Sequence, residues 1–183
     1  MKSSTRLAVL GLLLCVARAN AELTASSPAG FVSEHDIAIA APPQRVFDAL
    51  TAEVGRWWDA AHSYSGNAAN FTLDARAGGC FCERWSDGSV RHMTVVFVEP
   101  GRTLRLTGGL GPLQAMAVTG SMTFTLDNDG TATRLHYRYA VSGWAPAGLT
   151  TLAEPVDRIQ LGQLLRLKRY VETGNPVAGA PTN

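Results

Sequence analysis

The chain reads as an α+β domain: one strand, two short helices, six further strands forming an antiparallel sheet, and a long C-terminal helix. Three observations predict this order. Residues 70–141 break into strand-length runs of apolar and alternating residues, three of the joins marked by Asp87-Gly88, Pro100-Gly101 and Asp129-Gly130. The stretch before them, "PPQRVFDALT", sets prolines ahead of Val46, Phe47 and Leu50 on one helical face. The stretch after them carries Leu152, Val156, Ile159, Leu164, Leu167 and Val171 at helical spacings and stops at Gly174.

Taken in order, residues 1–21 form an export signal: Lys2 and Arg6 precede the apolar run Leu7 to Val16, and Ala19-Asn20-Ala21 gives a small-residue cleavage pattern. Cys15 lies inside it, after a Leu14 too large for a lipoprotein signal. The expected location is therefore periplasmic or secreted. Residues 22–32, rich in small and polar residues, are expected to be a mobile segment, and 175–183 a disordered tail. The domain proper occupies 33–174. Its first strand is "HDIAIA" (35–40), followed by the proline-initiated helix and a second short helix at "EVGRWW". Strands are expected at 70–75, 79–86, 89–99, 102–108, 117–127 and 131–141, and the last helix at about 150–173. Pro155 fits only in the first turns of that helix, or marks a kink.

Composition removes several function classes. Sixteen Lys plus Arg against fifteen Asp plus Glu leave a formal charge of +1 with no basic stripe, so nucleic acid is not an expected partner. No stretch of the mature chain approaches the roughly 18 apolar residues of a membrane helix, so no stable membrane insertion is expected. There is no phosphate-binding loop with a lysine, no nucleophile elbow and no paired-histidine helix. No cofactor and no metal are expected.

The segments "IAIAAPPQRVFDALT", "ARAGGCFCERWSDGS", "VVFVEPGRTLRL" and "QLLRLKRYVETG" carry a resemblance that spans residues 33–174. In them the chain resembles the SRPBCC, or START-like, superfamily, and within it the group related to activators of the heat-shock protein 90 ATPase. The resemblance implies a helix-grip fold: a curved antiparallel sheet of about seven strands wrapped around the long C-terminal helix, with a cavity between them. It carries no shared catalytic motif, because the superfamily hosts ligand carriers, cyclases, hydrolases and co-chaperones.

Which polar groups reach such a cavity depends on register. A two-residue hairpin at Asp87-Gly88 pairs Ser86 with Ser89 and sets Glu83 opposite His92. One face then carries Cys80, Cys82, Arg84, Arg91, Met93, Val95 and Phe97; the other carries Phe81, Glu83, Trp85, Val90, His92, Thr94, Val96 and Val98. Cys80 and Cys82 fall about 6.5 to 7 Å apart on an ideal strand, beyond a comfortable disulfide. They are expected as small packing residues with free thiols, a redox-sensitive or bridged pair being the alternative. Glu83 and His92 are either an acid–base couple in the cavity or a pair on the outer face. A two-residue loop at Pro100-Gly101 puts Leu104 and Leu106 on the cysteine face, and a loop one residue longer puts them with Glu83.

Tyr137 and Tyr139 share a face with Leu135 and Val141, as core or cavity lining, while Arg134, His136 and Arg138 face solvent. Trp57 and Trp58, being adjacent, cannot both be fully buried in one layer. Trp144 is either a lid or a packed cap, and "GGLGPLQ" (108–114) reads as a cavity-rim loop. The candidate cavity residues are Phe81, Glu83, Trp85, His92, Met122, Phe124, Tyr137, Tyr139, Trp144 and Ile159. The first functional expectation is a non-catalytic carrier or sensor of a small hydrophobic molecule. The alternatives are a cyclase or dehydratase using Glu83 and His92, and a protein-interaction module with an unidentified partner.

Overall fold

Alternation along the strands builds one buried face. In the computed structural model, which describes residues 21–177, with side chains from Ala25 onward, an eight-stranded antiparallel sheet runs in the order β1-β2-β8-β7-β6-β5-β4-β3. The strands are β1 (Ala21–Ser27), β2 (Gly30–Ile39), β3 (Phe71–Leu73), β4 (Cys80–Trp85), β5 (Gly88–Glu99), β6 (Thr103–Thr107), β7 (Ala117–Asp129) and β8 (Ala132–Trp144). Helices α1 (Pro43–Ala52) and α2 (Val54–Trp57) follow β2, and α3 (Thr150–Thr173) closes the chain. This is the helix-grip α+β fold.

The pairings Ile37↔Leu135, Leu135↔Leu126, Leu106↔Met122 and Leu104↔Phe124 line up apolar side chains in rows across the inner face, all of them buried. Burying a side chain of this size contributes about 1.5–3 kcal/mol each. Arg134, His136 and Arg138 alternate to the outside, His136 against Asp36 and Arg138 against Glu34. Pro43 opens α1, and Val46, Phe47, Ala49 and Leu50 bury one side of it. Gly174, at φ 76°, ends α3 by donating its N–H to the Tyr170 carbonyl. Pro155 lies inside α3 on its second turn, where it leaves one carbonyl of the first turn without its helical donor.

Four expectations are corrected. Residues 22–32 are not a mobile segment: they belong to β1 and β2, with Ser27↔Gly30 closing a hairpin, so the sheet gains an eighth strand. The pairing at the Asp87-Gly88 turn is shifted by two residues, Trp85 pairing with Gly88 and Glu83 with Val90, so that Ser86-Asp87 form the loop. Gly88 is needed for proximity and not for a left-handed turn, since a Cβ there would lie 2.3 Å from the Trp85 ring. Trp57 and Trp58 are both buried in one layer with ring centroids 5.6 Å apart, because Trp58 has left the helix with ψ 145° and is no longer held at the helical angle to Trp57. The cysteines are joined as a Cys80–Cys82 disulfide with Cα atoms 5.4 Å apart, closer than the spacing of an ideal strand.

The longer loop is the one formed after β5: Glu99 pairs with Thr103 across Pro100-Gly101-Arg102, with Gly101 at φ 71°, and Leu104 and Leu106 face inward. The export signal lies outside the described residues apart from Ala21, and the expected tail lies outside them beyond Val177. Among the described residues, no helix is long and apolar enough to cross a membrane.

Candidate functional site

Met122, Phe124, Tyr137, Phe81 and Leu164 do not line an open cavity. They close around a void of about 20 Å³ at the centre of the grip, room for about one water. The cavity itself, about 610 Å³, lies towards the N-terminal half of α3. Leu152, Val156 and Ile159 of α3 form one wall, Leu110 to Leu113 and Met116 of the glycine-containing 108–116 segment a second, and Trp58 with residues 61–64 a third. His92, Tyr139 and Gln160 supply its deeper polar groups. The 108–114 loop is thus at the rim, as its composition suggested. Trp144 is 69% exposed at the end of β8 and Trp85 is half-buried at its hairpin; neither borders the cavity. A second hollow, about 600 Å³ along β1, β2, β7 and β8, is lined largely by Ala, Ser, Thr and Gly.

Glu83 and His92 do meet, through a bulge and not through direct pairing across the hairpin. The β4–β5 ladder shifts between Phe81 and Cys82, leaving His92 as an extra residue between the partners Arg91 and Met93. Such a bulge turns a side chain that strict alternation would send outward. His92 Nε2 then sits 3.3 Å from Glu83 Oε2, its ring stacked on Phe71 and tilted against Phe81 and Tyr64.

Glu83 has no exposed surface, yet it is ionised. Burial pushes its carboxyl up, but the Ser63 hydroxyl (2.6 Å) and the backbone N–H groups of Ser65 (2.6 Å) and Tyr64 (3.0 Å) outweigh that and hold it at about 2. Burial lowers the His92 imidazole, against the pull of Glu83 in the other direction. A neutral ring beside an acceptor-only carboxylate assigns the proton to Nε2, donated to Glu83, and leaves Nδ1 with a free lone pair. Nδ1 has no hydrogen-bond partner. Glu83 is therefore an anchor and an orienting group, not a proton donor. Tyr139, pushed to about 12 by burial against the Leu110 N–H it accepts (3.1 Å), stays protonated and donates to the Gly108 carbonyl.

Two groups of buried polar residues were not anticipated. Ser33 and His35 continue the inward alternation of Ile37 and Ile39, and both reach Asp157 Oδ1 on α3, at 2.6 and 3.0 Å. Gln160 accepts from the Tyr137 hydroxyl (2.9 Å) and Gln163 from the Asp59 N–H (3.0 Å). The signal was present: Asp157, Gln160 and Gln163 recur every third residue, so they share a helical stripe.

A model of the family described as polyketide cyclase/dehydrase and lipid transport matches residues 31–172. The chain belongs to this family, within the SRPBCC superfamily. It is 30% identical over 158 residues to the granaticin polyketide synthase bifunctional cyclase/dehydratase of Streptomyces violaceoruber, an alignment covering 82% of this chain and 47% of that protein. The chain thus spans about half the length of this curated relative. Among solved structures, a conserved protein of unknown function from Enterococcus faecalis is similar at TM-score 0.61 and 17% identity, over 91% of this chain and 83% of that one. CalU16 from Micromonospora echinospora matches at TM-score 0.59 and 16% identity (90% and 88% covered). The Aha1 dimer from Colwellia psychrerythraea matches at 0.51 and 20% (78% and 97%). At these identities the structures share the fold.

The Glu83 network has a measurable pH signature. Because folding lowers this carboxyl from its ordinary 4.5 to about 2, its stabilisation is complete above about pH 4.5 and is lost as the pH falls towards 2. Glu83→Gln should cost on the order of 1–3 kcal/mol at neutral pH, since an amide cannot accept from every donor present. Its stability should also fall less steeply than that of the wild type between pH 4.5 and 2 in urea titrations.

Proposed function

We propose that this protein binds a small apolar molecule in the 610 Å³ cavity between the N-terminal half of α3, the 108–116 segment and residues 58–64. The observation that carries the reading is the cavity's make-up: Trp58, Leu110, Leu113, Met116, Val156 and Ile159 supply most of its surface, and its polar groups are His92, Tyr139 and Gln160 together with residues 62–64 of one wall. That division suits a largely hydrophobic ligand with one polar end. The family's lipid-transport description supports the same class. We place the protein in the envelope or outside the cell on the strength of residues 1–21, and terminal sequencing of native protein should give Glu22 as its first residue.

A second reading, catalysis of the cyclase or dehydratase type, is favoured by one specific feature. His92 is neutral, oriented by an ionised carboxylate, and borders the cavity with its ring, while its unpaired Nδ1 is buried and would have to be uncovered to meet a substrate. Neutrality and a fixed orientation are properties of a general base that removes a proton α to a carbonyl. The cyclase/dehydratase relative supports this reading too.

Two variants separate the readings. N-phenyl-1-naphthylamine should bind the wild type with saturable 1:1 stoichiometry. Ile159→Trp should fill the cavity and abolish that binding at a stability cost of about 1–3 kcal/mol, with circular dichroism unchanged. A wild-type protein that binds no probe defeats the ligand reading. His92→Ala should leave probe binding in place; if the protein dehydrates a β-hydroxy ketone surrogate, the same change should slow turnover by about 10²- to 10⁴-fold.

A further inference from the structure

We infer that the Cys80–Cys82 disulfide is a redox switch that sets the position of the cavity wall, opened by a dithiol reductant. The inference rests on the ligand-binding reading above, whose site it would regulate. It starts from chain length. The bond holds the two Cα atoms at 5.4 Å, whereas two residues of an extended antiparallel strand cover about 6.8 Å. Oxidised β4 is therefore shorter than its relaxed length by more than an ångström, over a single intervening residue.

That residue and its neighbours build the wall. Phe81, between the cysteines, is buried against Trp58, Phe71 and His92, at centroid distances of 5.5, 5.5 and 5.4 Å. Trp58 and His92 both border the cavity. Glu83, immediately after Cys82, holds Ser63 and Tyr64, which border it as well. The register shift that brings His92 inward falls between Phe81 and Cys82, the same step of the ladder that the disulfide spans. On its other side β4 is flanked only by the three-residue β3, which pairs Thr72 with Cys82 and Leu73 with Phe81. Lengthening β4 at this step moves Phe81 and Glu83 relative to β5, and with them the wall residues each one holds.

The chemistry is ordinary thiol–disulfide exchange. Cys80 is half-buried and Cys82 buried, so a thiolate of the reductant attacks Cys80 Sγ, forming a mixed disulfide and releasing the Cys82 thiolate. The second thiol of the reductant then attacks its own sulfur in the mixed disulfide, releasing Cys80. Two electrons pass to the protein, the two thiolates take up the two protons the dithiol gives up, and the reductant leaves as its cyclic disulfide.

The test uses the full chain, prepared in air and equilibrated in buffers of reduced and oxidised dithiothreitol. Iodoacetamide should add nothing to the oxidised protein and two carbamidomethyl groups to the reduced one. Amide hydrogen exchange across 60–66 and 80–95 should be faster in the reduced state, and N-phenyl-1-naphthylamine affinity should differ by about threefold or more between states. Cys80→Ser/Cys82→Ser should match the reduced protein and ignore dithiothreitol. Free thiols in the air-prepared protein, unchanged exchange in those two segments, or equal probe affinity in both states with binding intact would each overturn the switch. Probe binding absent from both states, with exchange still responding to reduction, would support the switch and defeat the ligand reading alone.

Discussion

A carboxylate with no access to water stays charged only if donors replace the water it has lost, and around Glu83 that requirement organises a whole side of the molecule. Residues 63–65 belong to no regular element, yet one hydroxyl and two backbone N–H groups from them converge on this single side chain. Asn67 and Asn70 continue the same hydrogen-bonded turn through Ser63 and Ser65. The segment that walls the cavity is thus held by electrostatics on one side and by the aromatic stack of Trp58, Phe71 and Phe81 on the other. His92 is held between these two kinds of support. Its ring is fixed by stacking, its proton by Glu83, and only Nδ1 is left uncommitted.

The long helix is attached in a complementary way. Leu164 and Leu167 bury apolar surface, while Asp157, Gln160 and Gln163 bury polar groups that bond to β2, to β8 and to the start of the 59–65 segment. Arg166 adds the carbonyls of Trp57 and Trp58, and Lys168 that of Ala38. Apolar contact is tolerant of sliding, whereas a buried hydrogen bond left unmade costs about 1–3 kcal/mol, so the polar stripe fixes the rotation and register of α3. The apolar residues this leaves free, Leu152, Val156 and Ile159, face the cavity, where a ligand can cover them.

Family membership and geometry therefore bear on different questions. Membership establishes a scaffold used for both lipid transport and cyclase or dehydrase chemistry. The position of the cavity, its apolar walls and the state of the Glu83–His92 pair are properties of this chain, and they decide which measurements discriminate between carriage and catalysis.

From the second strand to the last helix, sequence alone was enough for the order of elements, because strand alternation, proline at a helix start and glycine at a helix end act within a few residues of chain; β1 was missed because its small and polar residues carry no apolar alternation. The inward set Leu135, Tyr137, Tyr139 and Val141 was legible for the same reason. Local rules give way where a long-range condition acts on β4 and β5. Ideal-strand spacing separated Cys80 from Cys82, and an ideal hairpin placed Glu83 opposite His92; the structure joins the first pair by shortening β4 and the second by a bulge. The α3 face was misread in part because hydrophobicity marks what avoids water, not what finds a partner. Asp157, Gln160 and Gln163 are buried only because Ser33, His35, Tyr137 and the Asp59 N–H are waiting opposite them, from positions 23 to 124 residues away in the chain. The chain by itself determined which segments from the first α-helix to the last are strands and helices; tertiary packing decided that the N-terminal segment joins the sheet as β1 and which polar groups are inside, since burial of a polar atom is stable only when a distant partner supplies its hydrogen bond.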